Sequence, residues 1–457
     1  MVGVKERNVQ RRDAEDPQSI GKRREKNGVR LRLIDGFAKE VADGFEAAII
    51  DASKRVDGGG KALREWRATA GRPPGVRIAE LGRFLKDDKT GGKLPLESRH
   101  AIERALERVR GRTEDIAGVW SEILTDRQRI HAAFADAGAT ELTKTEIDWA
   151  VSWCEQQIPG ALHHRDERVE AILDGETHKP TRTTGADGRD EEEVAVLDRE
   201  DDAILLRLYQ RIVGPLRRKR ARLTYEHIFV DETQDISPLE LAVVLETATK
   251  RRNDGTASSG SVTLAGDVAQ RLYMDNGFSD WKQVLEELGL AHVEIEPLML
   301  SYRSTHEILD FAHAVLGPLQ TERGGRAIRH GAPVELFRFT SSGEGVAFLS
   351  EALRNLTRSE PLSSIAVIAR YAEQADMWFK GLVRGEVPNI RRIAEQDFPF
   401  RPGIDVTDVR QVKGLEFDYV ILVEAATASF PEDDESRHLM HIAATRPAHH
   451  LWVPPTA

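Results

Sequence analysis

Between residues 31 and 51 apolar side chains recur at helical spacing, at Ile34, Phe37, Val41, Phe45 and Ala48, and predict an amphipathic helix. Residues 98–137 are rich in Ala, Glu, Arg and Leu with few breakers, and predict mostly helix. The helical pattern continues over residues 146–158. There Trp149 and Trp153 lie one turn apart, which fits core packing better than a base-stacking platform. Residues 1–30 and 177–193 are polar without periodicity, and predict a loosely packed lead-in and an exposed loop. A further helix face, Ile204, Leu205, Leu208 and Ile212, is closed by Gly214-Pro215.

Beyond this point the period changes. Short apolar runs at residues 228–230, 262–265, 334–337, 365–368, 406–409, 419–423 and 451–453 predict strands, with another expected within 292–300. Helical stretches separate them, at residues 281–288, 308–316, 345–356, 372–382 and 436–445. Such alternation predicts an α/β protein with parallel sheets. The expected layout is a mainly helical region over residues 1–199 and two tandem parallel-sheet domains, over 200–317 and 318–457. Gly317-Pro318 and the stretch 321–325 supply a hinge between the sheet domains.

The most informative run is Ile228-Phe229-Val230, a candidate buried strand ending in Asp231-Glu232, with Gln234 and Asp235 close behind. Burying adjacent carboxylates without a partner costs several kcal/mol, whereas strand ends in parallel sheets are where α/β folds place ligands. A carboxylate there can hold magnesium, and its neighbour can accept a proton from an attacking water. Ser237-Pro238-Leu239-Glu240 then reads as a helix start with a capping box. Strand, acidic turn and helix form a Walker B arrangement. Two glycine-lysine runs do not complete it. A phosphate loop needs G-x-x-x-x-G-K-[ST], but Ala62 follows Gly58-Gly59-Gly60-Lys61, and Leu94 follows Gly91-Gly92-Lys93. Both predict flexible turns.

Composition narrows the classes. With 457 residues and a net charge of −11, the chain is no general nucleic-acid coat, although local basic patches can still meet phosphate. One such cluster is Arg217-Arg218-Lys219-Arg220 with Arg222, expected at a solvated helix end. The single cysteine, Cys154, excludes an internal disulfide and any multi-cysteine metal site. No apolar run is long enough for a bilayer and no signal-peptide core is present, so a cytoplasmic protein without membrane contact is expected.

Polar residues recur at strand ends in a definite order: Asp231-Glu232-Thr233-Gln234-Asp235, Gly266-Asp267-Val268-Ala269-Gln270, Tyr302-Arg303-Ser304-Thr305, Lys413-Gly414-Leu415-Glu416-Phe417 and Ala444-Thr445-Arg446. This series resembles motifs II to VI of superfamily 1 helicases of the UvrD/Rep type, over about residues 205–453. The resemblance implies two tandem RecA-like domains, with ATP and Mg²⁺ as cofactors and single-stranded or tailed DNA as partner. Asp231 would hold Mg²⁺ and Glu232 would activate water. Gln270 would sense the γ-phosphate, and Arg303 and Arg446 would neutralise its developing charge. Tyr302 would stack on adenine, and Glu416 would hydrogen-bond the ribose, with Gly414 in the same nucleotide-binding stretch. An arginine acting across a cleft is worth about 10³–10⁵ in rate and ties hydrolysis to domain closure. All these residues are therefore expected in one cleft.

The departures are specific. Thr233 replaces the usual alanine, Asp408 and Arg410 stand where the family carries threonine and histidine, and Pro447 follows the finger arginine. The short interval from residue 305 to 406, with K-G-L-E-F-D at residues 413–418, looks more like the HelD-type branch, whose members remove stalled RNA polymerase. Walker A is absent. The resemblance thus implies an ATP-dependent DNA helicase or translocase of 3′–5′ type, either the downstream piece of an interrupted helicase or a degenerate relative without a phosphate loop, which a separate polypeptide could supply. The alternative is a non-catalytic helicase-derived module docking on RNA polymerase or another protein.

Overall fold

A computed structural model of the chain describes residues 28–87, 89, 93–136, 143–173, 199–219, 221–251, 257–272, 276–278, 280–320 and 325–454. The expected polar loop over 177–193, Gly91-Gly92, nearly all of the lead-in, and residues 321–324 of the hinge lie outside these.

The first region is helical, as its periodicity predicts. Helices Gly28–Lys54, Gly59–Ala68, Pro74–Lys86, Leu96–Glu114, Ile116–Thr125, Lys144–Leu173 and Arg199–Ile212 contribute to one apolar core, in which Phe37, Trp66, Leu81, Ile102, Trp120 and Leu208 are buried. Trp149 departs from expectation: it is exposed, and only Trp153 packs against the core. Gly58 adopts φ 75° just before the helix Gly59–Ala68, so this glycine run opens a helix rather than forming a flexible turn. A Cβ on Gly59 would lie 1.9 Å from the Ser53 carbonyl oxygen, so close packing requires glycine there. The helical region also grips the acidic turn. Leu239 and Ala242, on the helix Pro238–Leu245, enter its core, and buried Arg207 pairs with both Asp35 and Glu246 at 2.8 Å.

The basic cluster lies on a hairpin, β1 (Arg217–Arg218) and β2 (Ala221–Arg222), rather than at a helix end. It leads into β3 (His227–Val230); a second hairpin, β4 (Thr249–Arg251) and β5 (Ala257–Ser259), precedes β6 (Ser261–Leu264). Strands β3 and β6 pair in parallel and form a two-stranded sheet among the described residues. Only Val230 in β3 is buried, and Phe229 is 61% exposed, contrary to the expectation of a buried strand. The strand expected in 292–300 shrinks to β7 (Leu300–Ser301), paired with β8 (Arg326–Ala327). Among the described residues Val293, Ile295 and Leu298 remain exposed.

A larger sheet follows. It comprises β9 (Glu335–Leu336), β10 (Ser364–Ala369), β11 (Ile390–Arg392), β12 (Gly403–Asp408), β13 (Phe417–Leu422) and β14 (Pro447–Val453). The order is β11-β12-β10-β13-β14-β9, with every pairing parallel. Alternate residues of β10 enter opposite cores, as strand geometry requires. Ile365, Val367 and Ala369 meet helices Ser342–Ser359 and Ala372–Arg384 through Leu349, Leu353 and Trp378. Ala366 and Ile368 meet helices His306–Leu316 and Asp434–Ala444 through Ile308, Ala312, Leu439 and Ile442. The chain is thus mixed helical and parallel-sheet, with helices covering both faces of the larger sheet.

Candidate functional site

The acidic turn is built from the carboxyl ends of β3 and β6. The Ala265 amide donates to the Val230 carbonyl at 2.8 Å, and the Thr233 amide donates back to the Ala265 carbonyl at 2.9 Å. Glu232 is held at φ 49°, a left-handed conformation uncommon outside glycine. Buried Gln234 locks the two strand ends together. Its Nε2 donates to Glu232 Oε2 at 2.6 Å, and its Oε1 accepts from the Asp267 amide at 3.0 Å. A Cβ at residue 266 would lie 2.3 Å from that Oε1, so Gly266 makes room for the lock. Thr233 is satisfied by donating to the Val230 carbonyl at 3.1 Å, and Ser237 forms the expected capping box with Glu240.

The second cluster comes from the larger sheet. The helix Asp434–Ala444 stops before Pro447, which opens β14, and between them stand the helix cap Thr445 and then Arg446. Its guanidinium is 1% exposed yet fully engaged, donating to the carbonyls of Ile442 at 2.9 Å and Leu415 at 3.3 Å, and to Gln270 Oε1. Burial, then the charge of Arg303, lowers its pKa to about 10, against the pull of Glu232, Asp267 and Glu416. Gln270 also donates to Asp267 Oδ2 at 2.9 Å. Arg303 pairs with Glu416.

Lys413 joins the two clusters. Its ammonium donates to Asp235 Oδ2 at 2.5 Å and to the Gln270 carbonyl at 2.5 Å, and lies 3.4 Å from Glu232 Oε2. Its side chain is only 6% exposed. Gly414 beside it has φ 76°, the conformation that favours glycine there.

The structure therefore brings Glu232, Gln270 and Arg446 together, with Arg303 and Glu416 near enough to act on Arg446 electrostatically. Asp231 shares the turn, exposed, with its carboxylate accepting from the Glu232 amide at 2.9 Å. Tyr302 is 75% exposed beside Arg303. The departures also find places. Asp408 is buried at the end of β12, where burial raises its pKa, and Arg410 pairs with Glu435 at 3.2 Å.

Sequence reasoning assigned no role to Lys413, Gln234, His438 or His441. His438 donates through Nδ1 to the Ala269 carbonyl at 2.8 Å, and His441 to the Ala312 carbonyl at 3.0 Å. Both therefore carry the proton on Nδ1, and burial lowers both pKa values. Their i, i+3 spacing on one helix was the available signal.

With this geometry in view, similarity to known proteins can be placed. Residues 403–453, from β12 to the end of β14, match the UvrD-like helicase C-terminal domain. The chain is also similar to the C-terminal domain of a possible DNA helicase from Lactobacillus plantarum WCFS1, at 24% identity and a TM-score of 0.29. That alignment covers 34% of this chain and 88% of the other. A second likeness is to the PRRSV helicase, at 13% identity and a TM-score of 0.27, covering 50% of this chain and 34% of that one. Curated proteins give no match. Among the described residues no helix is long and apolar enough to cross a membrane.

Proposed function

We propose that the chain is a UvrD/HelD-like derivative of an ATP-dependent DNA helicase or translocase, with two tandem RecA-like regions meeting at the cleft but no phosphate cradle of its own. The supporting observation is the direct hydrogen bond between Arg446 and Gln270, set across from the acidic turn and bridged by Lys413. In this reading Arg446, Arg303 and Gln270 form the γ-phosphate side, Asp231 is the magnesium ligand and Glu232 the base. Tyr302, Glu416 and Gly414 form the nucleoside side.

The fit to nucleotide is partial. Tyr302 offers an exposed ring for stacking, and Asp231 is exposed, with only its Oδ1 taken up by the Glu232 amide. The triphosphate end does not fit. The sequence has no loop whose amides and lysine could cradle it, and Lys413 already engages Asp235 and Glu232. No hydrolytic step is therefore assigned to the chain alone. A separate P-loop polypeptide is the partner that would complete it on DNA. Hydrolysis assays of the purified chain, with and without DNA and an adjacent P-loop polypeptide, test this. Negligible turnover by the chain alone is expected. Robust DNA-stimulated turnover that disappears in Glu232→Gln would overturn the partial-site reading.

One observation favours a second reading, a non-catalytic module docking on RNA polymerase or another protein. The stretch holding Val293, Ile295, Leu298 and Leu300 presents apolar side chains to solvent, with Leu298 91% exposed. Retention of a protein partner by the parent chain but not by Leu298→Asp, with no nucleotide dependence, would favour it.

A further inference from the structure

The helical region carries an open groove to which none of the cleft residues contributes. It runs between the helices Gly28–Lys54 and Leu96–Glu114 and encloses about 1070 Å³. Its floor is the margin of the apolar core, at Phe37, Phe45, Ala105 and Val109. Small residues on the facing sides, Gly44, Ala48 and Ala101, leave the space unfilled. A Cβ on Gly44 would meet nothing within 4 Å.

The rim of the groove is charged, and its charges are unevenly matched. Arg55 pairs with Asp51 at 2.9 Å, Arg112 with Glu122 at 3.1 Å, Arg129 with Glu40 at 2.6 Å, and Glu107 with Arg110 at 3.0 Å. Arg104 and Arg108 differ. Both are exposed on the rim, and among the described residues neither meets a carboxylate. Four residues apart on one helix, they stand about 6 Å from each other along its axis.

The same chain exposes a segment of opposite charge and fitting dimensions. Every residue from 291 to 300 is exposed, and residues 293–299 form neither helix nor strand. Apolar and acidic side chains alternate there, Val293-Glu294-Ile295-Glu296, before Pro297 and Leu298. Among the described residues neither Glu294 nor Glu296 meets a cation. Pro297 favours an extended backbone at Glu296. Drawn out, such a segment turns Val293 and Ile295 to one side and both glutamates to the other, about 6.6 Å apart. That spacing matches the two free arginines. Residues 293–298 would span about 17 Å, and the lining of the groove over residues 101–112 spans about 16 Å.

We propose that the groove receives residues 293–298 of a second copy of this chain. Val293 and Ile295 lie on the apolar floor, and Glu294 and Glu296 meet Arg104 and Arg108. The two surfaces differ, so the contact is heterologous and joins copies head to tail. A strip this short belongs to the weak end of protein interfaces. Association is therefore reversible, and its ion pairs make it sensitive to salt. The proposal does not rest on the nucleotide cleft, and it needs no foreign protein.

Sedimentation velocity of the purified full chain at low salt, from about 1 to about 100 μM, tests it in the range where weak contacts populate. The average mass should climb above that of one chain as concentration rises, and should fall back on adding salt. Arg104→Glu/Arg108→Glu and Glu294→Lys/Glu296→Lys should each weaken self-association at least about tenfold, because like charges then face each other. An equimolar mixture of the two variants should associate again, since each groove then meets a segment of opposite charge. Gly44→Leu, which fills the groove where a side chain has room, should weaken association as well. All the changed positions are exposed, so the variants should melt like the parent. A parent that stays monomeric throughout, association that survives both charge reversals, or a mixture that stays monomeric overturns the proposal. No foreign protein is in the sample, so this result and docking of the exposed stretch on another protein are read separately.

Discussion

The six-stranded sheet and the β3–β6 ladder follow the same plan, parallel strands that end in polar turns, but they differ in cover. Every residue of β12 is buried and only the first of β10 is not, because helices close both faces. In the ladder, β3 buries one residue and β6 none. Parallel sheets owe their stability to two covered faces. The ladder is instead held by strand-end locks, such as Gln234 between Glu232 and Asp267, and by packing on a small core. Stability and function are thus unevenly divided. The larger sheet is the rigid body, and Arg446 and Lys413 bring the acidic turn to it.

The largest effect should come from breaking the rigid side. Trp378 is fully buried between the sheet and its helices, and its Nε1 donates to Glu424 at 3.0 Å. Trp378→Ala should cost about 3–5 kcal/mol, whereas Phe229→Ala in the ladder should stay within about 0.5 kcal/mol. Urea unfolding of the two variants checks the contrast, and equal losses would remove the distinction between the two sheets.

Acid should destabilise the packing around the helix Asp434–Ala444. Burial lowers the His441 imidazole from 6.5 to about 4; the charges around it are Asp267, which opposes the shift, and His313 and His438, which add to it. A histidine with a depressed folded pKa binds its proton more readily when unfolded. Its contribution is full above about 6.5 and is lost as pH falls toward 4, up to roughly 3 kcal/mol. The lowered pKa of His438 acts in the same direction. Melting temperature followed from pH 7.5 to 4.5 should fall more steeply in the parent than in His441→Gln. Parallel curves would exclude the histidine as the cause.

How far the sequence foretold this depends on how each element is stabilised. Strand β10, Ser-Ile-Ala-Val-Ile-Ala, is a nearly continuous apolar run and was visible as such, whereas β12, Gly-Ile-Asp-Val-Thr-Asp, showed only its last residues. Strand β11, Ile-Arg-Arg, was not visible, because ion pairs hold it: Arg391 to Asp405 at 2.7 Å and Arg392 to Asp376 at 2.6 Å. The ordered polar residues led to Gln270 and Arg446, which do meet. Lys413 was visible only as a letter in a motif, since no local pattern shows that a lysine will be 6% exposed beside two carboxylates from another region. The basic hairpin was missed for a similar reason. Its two strands are two residues each, too short for any period to register.

Lys413 sharpens the comparison at intermediate cost. Lys413→Met leaves Asp235 and Glu232 without their shared cation. Losing a charged partner costs about 1–3 kcal/mol, and the partial exposure of both carboxylates, 20% and 40%, places this near the low end. Because the loss is electrostatic, Lys413→Met should respond more than the parent to added carboxylate-binding cations: Mg²⁺ should restore part of its stability. Thermal shift with and without Mg²⁺ measures this, and a variant as stable as the parent would show that Lys413 joins nothing.

The smallest expected effect concerns nucleotide choice. ATP and ADP differ by one phosphate, and an intact cradle distinguishes them through backbone amides and a lysine. Here Arg446 is committed to Gln270 and two backbone carbonyls, and Arg303 to Glu416. A γ-phosphate would have to displace those contacts, exchanging one set of charge-assisted hydrogen bonds for another of similar strength. What remains is stacking on exposed Tyr302, which both nucleotides share. Affinities for ATP and ADP should therefore agree within about threefold, which is under roughly 0.7 kcal/mol. Calorimetric titration of both with Mg²⁺ reads this directly. A clear preference for ATP that vanishes in Arg446→Ala would mean that the arginine leaves Gln270 for the phosphate, and that the cleft is a complete triphosphate site.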